Sequence, residues 1–289
     1  MRLAALGTRQ FEQETEAARV ITALLAAHGI SYFLQPFTLD LPWVKKAALL
    51  VDGQKIPCFS IGLVSGEVQQ EGVKCNLACE VISRDIHYFN PTVAVAPKDW
   101  PLVLSAQEIC GRIEVERRPH CSANILVGNK ENPKRIAFAH FDSIGRGAID
   151  NASGVAVMLA AIVGEQGLLR ENLFVFSGCE ELSFDNPNYW GYGYRVFEKE
   201  YDALMRATEK IVVVDCLGYS PTGLFDMEEI RQLTFPVKNL DLWEDKIKVL
   251  IGDFQILMSV LHSDHDDGRM IEPRFLAEAK NILVEFLAR

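Results

Sequence analysis

The stretch RIAFAHFDSIGRGAIDNASGVAVMLAAI, from Arg135 to Ile162, decides the fold. Its first residues are apolar enough for a strand covered on both faces, and from Ala152 onward small and apolar residues continue for long enough to make a buried helix. Between them lies a loop punctuated by Gly145 and Gly147, which carries His140 at its entry, Asp142 within it and Asp150 at its exit. Titratable groups set between two buried segments must be paired or must ligate something, because an unpaired buried charge is costly. Taken singly, Asp142 and Ser143 could make only a turn, and Asp150 with Asn151 could only cap the helix.

The flanking sequence repeats the rhythm. A strand is predicted over 135–140, a helix over 152–165, a strand over 173–177, a helix near 191–208 and a strand over 211–215. Such alternation implies right-handed crossovers. The expected architecture is an α/β three-layer sandwich, with a mixed, mostly parallel central sheet flanked by helices. Residues 8–29, TRQFEQETEAARVITALLAAHG, and the closing stretch RFLAEAKNILVEFLAR are amphipathic helices that would cover the sheet. From 40 to 120 short strand-like runs with Pro and Gly punctuation prevail. That section is expected to be a β-rich insertion with a lid or association role, leaving 1–39 and 121–289 as the main domain.

Composition narrows the partners. The chain has 289 residues, 39 acids against 29 Lys and Arg, and a formal charge of -10. An acidic surface is unsuited to a nucleic-acid groove, which needs clustered bases. No apolar run has the length of a membrane span, and the opening MRLAALGTRQFEQETEAARV turns charged too soon for a signal peptide. A soluble, cytoplasmic protein acting on a peptide or small aminoacyl substrate is expected, with self-association through apolar edges such as PTVAVAPKDWP left open. Seven cysteines in a chain this large read as reduced residues. Cys75, Cys79, Cys110, His120 and Cys121 offer an alternative structural zinc site, though their spacing is irregular.

Sites in open α/β sheets form where loops leave the carboxyl ends of strands. LFVFSGCEE delivers Glu180 and Glu181 to such an end, IVVVD delivers Asp215, and FQILMSVLHSDHDD, read as a fourth strand, delivers His262, with His265 as its rival. Clustered carboxylates repel unless a cation sits among them. Imidazole mixed with carboxylate suits zinc, with cobalt or manganese as substitutes. His140, Asp150, Glu181, Asp215 and His262 are too many ligands for one catalytic zinc and suit two, with Asp150 bridging. Asp142 would then orient His140, and Glu180 would carry the proton.

The motifs AHFDSIGRGAIDNASGVA, EE after an apolar strand, VVVDCLG, and HSDHDD before a final helix together resemble the co-catalytic di-zinc aminopeptidases of the aminopeptidase Y type. The resemblance implies a two-zinc exopeptidase on an eight-stranded mixed sheet, and a cis peptide after the bridging aspartate, here Asp150–Asn151. Glutaminyl cyclases look similar and use one zinc, for which Asp150, Glu181 and His262 would suffice. Non-catalytic binding members are a third possibility. The chain departs from the pattern in LSFDNPNYWGYG, a longer and more aromatic stretch after Glu181 that would wall a substrate pocket.

Overall fold

The computed structural model describes residues 2–289. The chain opens with α1 (Glu12–Ala27), whose face of Ala17, Ile21 and Leu25 is buried and whose end is marked by Gly29 at φ 68°. It then runs through β1 (Phe33–Val51), β2 (Gln54–Ile56), β3 (Phe59–Ser60), β4 (Gly66–Val68), β5 (Val73–Lys74), β6 (Val93–Ala94), α2 (Trp100–Ser105) and β7 (Ile109–Gly128). The alternating part follows: β8 (Arg135–His140), α3 (Gly154–Gly164), β9 (Asn172–Ser177), α4 (Tyr192–Ala207) and β10 (Lys210–Val214). The chain closes with β11 (Gly223–Phe225), α5 (Glu228–Thr234), β12 (Ile247–Ile251), α6 (Phe254–Met258) and α7 (Pro273–Ala288).

The main sheet has the order β11-β12-β10-β8-β9-β7-β1-β2, with β4 also paired to β7. Only the β12/β10, β10/β8 and β8/β9 pairs are parallel. The expectation of a mostly parallel sheet is therefore corrected: the sheet is mixed and mostly antiparallel. The strand-helix rhythm governs the centre alone, while β1 and β7, 19 and 20 residues long, pair antiparallel along almost their whole length. Strands so paired need no crossover helix, so the rhythm of 135–215 says nothing about them.

These two strands also show how residues 40–120 join the rest. Both boundaries fall inside a strand, since β1 begins at Phe33 and β7 runs on to Gly128. A register irregularity between Val44 and Lys46 divides the ladder. Both strands belong to the main sheet along their whole length, outer halves included, and β2 and β4 extend it there. The outer halves carry a separate core of Leu49, Val51, Ile56, Val68, Val93, Val103 and Ile113, beside a small sheet ordered β3-β6-β5.

Apolar side chains fill both faces of the main sheet. On one, α1, α3 and α7 bury Ile21, Leu25, Val155, Met158, Ile162, Leu283 and Leu287. On the other, Phe138, Tyr194, Phe197, Phe235 and Trp243 form an aromatic core beneath α4. The fourth expected strand is corrected too: residues 254–258 are helix α6, nucleated by Asp253, whose carboxylate accepts the N–H groups of Gln255 and Ile256. An aspartate at that position satisfies two donors that only a helix would leave open. The strand of that region lies just upstream, in β12. Among the described residues no helix is long and apolar enough to cross a membrane.

Candidate functional site

The three central strands end together. His140 closes β8, Glu180 and Glu181 follow the end of β9, and Asp215 follows β10 directly. Asp150 reaches the same place from the loop before α3, and His262 from the turn after α6. The Asp150–Asn151 peptide is cis. Asp150 presents one oxygen to each imidazole: Oδ1 lies 3.1 Å from His140 Nε2 and Oδ2 lies 2.9 Å from His262 Nε2. His140 Nε2 is also 3.6 Å from Asp215 Oδ1, and His262 Nε2 is 2.9 Å from Glu181 Oε2. The five residues thus fall into two sets of contacts that share Asp150. Among the described residues the His265 ring makes no ion pair with these acids, whereas those of His140 and His262 do.

The electrostatics explain what such a cluster can hold. Burial opposes a charged His140, yet contacts with Asp142, Asp150 and Asp215 outweigh it and hold the imidazole well above the usual histidine range. Burial likewise opposes charge on His262, but Glu181 and Asp150 raise it well above that range. Both shifts report one field, a concentration of negative charge facing the imidazole nitrogens. Carboxylate oxygens and imidazole nitrogens are the donor set for zinc-like divalent ions. The residues present therefore fit such an ion, with His140, Asp150, Glu181, Asp215 and His262 as its candidate ligands.

Glu180 stands apart. Its carboxyl hydrogen-bonds to no other described residue while it lines the same cavity. Burial, with Glu181, Asp142 and Asp215 reinforcing it against the pull of His140, raises its pKa well above the carboxylate range. Asp142 accepts the backbone N–H groups of Glu180 and Glu181 at 2.9 and 3.0 Å, and lies 3.5 Å from His140 Nδ1. It thus clamps the turn bearing both glutamates as well as facing the histidine.

Sequence reading missed two residues that shape this site. Arg9 is fully buried, and its guanidinium donates to the carbonyls of Phe141 (2.6 Å), Arg146 (2.8 Å), Gly147 (2.9 Å) and Asp142 (3.4 Å), tying down the loop between His140 and Asp150. Glu14 is buried on the inner stripe of α1 with Ala17, Ile21 and Leu25. Its carboxylate accepts the Cys179 backbone N–H at 3.0 Å, the Ser122 hydroxyl at 2.6 Å and a ring nitrogen of His120. A charged residue falling on the apolar stripe of a helix was the legible signal. The same contacts dissolve the alternative zinc site: His120 faces Glu14 and Cys179, while Cys121, its neighbour in β7, points to the other side and is exposed.

The aromatic stretch after Glu181 divides. Tyr192 and Tyr194 belong to α4, with Tyr194 fully buried in the core. Tyr189 and Trp190 line the site, held by hydrogen bonds from the His87 N–H to the Tyr189 hydroxyl (2.8 Å) and from Trp190 Nε1 to the Leu233 carbonyl (3.0 Å). With Leu233, Phe254, Leu257 and Met258 they wall a cavity of about 430 Å³ whose floor is the acid cluster.

The sequence profile of peptidase family M28 matches residues 123–225. No curated protein matches the chain in sequence. The fold is similar to that of BSAP, a zinc aminopeptidase from Bacillus subtilis, at 14% identity and a TM-score of 0.69, over 97% of this chain and 90% of that one. It is equally similar to a peptidase M28 precursor from Shewanella amazonensis, at 15% identity and a TM-score of 0.69, over 96% and 87% of the two chains. A glutaminyl cyclase from Fimbriiglobus ruber shares it at 9% identity and a TM-score of 0.55, over 99% and 91%.

Proposed function

We propose that the chain is a zinc-dependent exopeptidase, and specifically an aminopeptidase that holds two ions. The observation that carries the reading is Asp150, whose two oxygens each face a different imidazole on the floor of an apolar cavity. The match to the M28 profile supports a peptidase, because residues 123–225 include His140, Asp150, Glu180, Glu181 and Asp215. Bound zinc would polarise the scissile carbonyl and acidify a water. Glu180, adjacent to the ligands yet unpaired, is placed to take a proton and return it to the leaving amine; a raised pKa suits a group that must both accept and donate. The surrounding carboxylates favour a cationic N-terminal amine. The cavity beyond them favours a large apolar first side chain.

A second reading has its own observation. The contacts of His262 with Asp150 and Glu181, both 2.9 Å, are shorter than those of His140 with Asp150 and Asp215, which fits a single ion held as in glutaminyl cyclases. Elemental analysis of the purified protein, with turnover of a panel of aminoacyl fluorogenic amides in zinc or cobalt, decides between them. Two ions per chain and amide hydrolysis support the aminopeptidase. One ion with cyclisation of N-terminal glutamine overturns it.

The section 40–120 is assigned a lid role on this reading. Its segment around Ser83 and Arg84 closes over the turn bearing His262: Ser83 Oγ donates to the Leu261 carbonyl at 2.7 Å, and the Arg84 N–H donates to the His262 carbonyl at 3.2 Å. All seven cysteines are free thiols, which suits a reducing cytoplasmic compartment.

The cavity wall gives a specificity prediction. Trp190→Ala removes an indole from the wall and is expected to change the ranking of substrates by first side chain, altering relative efficiencies by roughly tenfold, on the order of 1 to 3 kcal/mol of lost contact. The measurement is kcat/KM across leucyl, phenylalanyl and alanyl amides. An equal loss on all three assigns Trp190 to packing.

A further inference from the structure

A second cavity, of about 450 Å³, lies against the first, with Phe11, Trp43, Ile144, Leu182, Arg84 and His87 in its wall. The two share a partition. Arg84 and His87 face the second cavity while Asp85 and Ile86, between them in sequence, face the first; Leu182 lines one and Glu181 the other. In a chain of net charge -10, this cavity has no Asp or Glu in its wall. It does have a guanidinium.

The state of that guanidinium is the informative observation. Arg84 is half-buried, its Nε is buried with no hydrogen-bond partner, and among the described residues no carboxylate forms an ion pair with it. Its neighbours are the ring of Phe59, 4.9 Å from the guanidinium carbon, and Gly145, where a side chain would press on an Arg84 terminal nitrogen. Glu181 and Asp264 are the acids near enough to act on it, and neither pairs with it. Nδ1 of His87, in the same wall, is also buried without a partner. A buried guanidinium nitrogen is rarely left without an acceptor unless a ligand supplies one. A single planar guanidinium in a wall of mixed character, with Gln10, Gln13 and Ser60 beside Phe11, Trp43 and Leu182, matches the two coplanar oxygens of an organic acid.

We propose that this second cavity is a carboxylate-binding site, with Arg84 as the residue that grips the carboxylate and Phe11, Trp43 and Leu182 accommodating its apolar body. The site is linked to the metal ligands through backbone: Arg84 N–H donates to the His262 carbonyl and the Arg84 carbonyl faces His262 Nδ1, both at 3.2 Å. The carboxylate has two sources of the same chemistry, the free C-terminus of a short peptide substrate or a separate organic acid. The first source rests on the peptidase reading; the second does not.

The test uses the full zinc-loaded chain and its Arg84→Met and Arg84→Lys variants, which preserve the backbone contacts to His262. One arm compares KM for Leu-Gly with KM for Leu-Gly amide. The other follows the melting temperature as 3-phenylpropionate is added, with its methyl ester and inorganic phosphate as controls. If the substrate carboxylate is the ligand, the free dipeptide has a KM lower by about tenfold, the scale of one charge-assisted pair, and Arg84→Met abolishes the difference while hydrolysis of a leucyl anilide stays within about threefold. If a separate acid is the ligand, 3-phenylpropionate raises the melting temperature, the ester does not, and Arg84→Met removes the shift with Arg84→Lys keeping part of it. Neither preference in the wild type, a shift that survives Arg84→Met, or an equal shift with phosphate overturns the proposal. A chain inactive on every peptide refutes the peptidase reading alone, because the melting arm needs no turnover.

Discussion

Glu180→Gln is expected to keep the fold and its zinc content while turnover falls by about two orders of magnitude or more, the scale of a lost general acid-base group. The side chain lines the cavity beside the proposed ligands, and its backbone N–H is fixed by Asp142 at 2.9 Å, so the carboxyl can work without also holding the turn together. Glutamine has the same shape and can still accept a hydrogen bond, but it cannot shuttle a proton. A hundredfold loss corresponds to about 2.7 kcal/mol of transition-state stabilisation. The paired substitution Glu181→Gln should behave differently, because Glu181 Oε2 faces His262 Nε2 at 2.9 Å and Oε1 accepts the Ile144 N–H at 3.2 Å. It should lower zinc content first and activity in proportion. Zinc per chain and rate per bound zinc, measured for both variants, separate the roles. Loss of zinc in Glu180→Gln with the rate per zinc preserved would exchange the two assignments.

The floor of the site was largely legible because most of its groups follow an element whose apolar pattern is strong, Asp150 instead standing in the loop that leads into the buried helix α3. His140 follows IAFA, Asp215 follows IVVV, and the glutamate pair follows LFVF, all runs buried on both faces in the centre of the sheet. Strands of that kind have few alternatives, and their ends must meet. His262 lies against Asp150 and Glu181 although its element was misread, since the residue follows an apolar run whether that run is a strand or the helix that Asp253 caps. The majority of antiparallel pairs was not legible, because β1 and β7 lie far apart in sequence and their pairing depends on long-range register rather than on any local signal. The supports were hidden for a related reason. Glu14 reaches Cys179 across 165 positions and Arg9 reaches Phe141 across 132, so their meaning exists only after the fold has formed.

Arg9→Met tests that hidden layer and should have the largest effect on stability of any change outside the acid cluster. The guanidinium serves four carbonyls of the 141–147 loop, and the backbone of Arg9 exchanges hydrogen bonds with Ser143 at 3.1 and 3.3 Å. Burial pulls its pKa down, while Asp142, Asp150, Glu181 and Asp266 hold the charge in place from around it. Methionine fills part of the space and leaves those carbonyls without their donor and the acids without their nearest fixed cation. Each buried acceptor left unsatisfied costs about 1 to 3 kcal/mol, so a net loss of roughly 3 to 5 kcal/mol is expected after relaxation and access of water. In a chain of this size that corresponds to a fall of roughly 10 °C in melting temperature. Zinc should recover part of the loss, because ions bound by the folded state supply the positive charge that Arg9 withdrew. Arg9→Lys restores the charge without the fork of donors and should fall between wild type and methionine. Melting curves of the three proteins, with zinc and with chelator, read all of this. An unchanged melting temperature in Arg9→Met would mean that the loop between His140 and Asp150 is held by its own turns, and that Arg9 merely fills the space behind it.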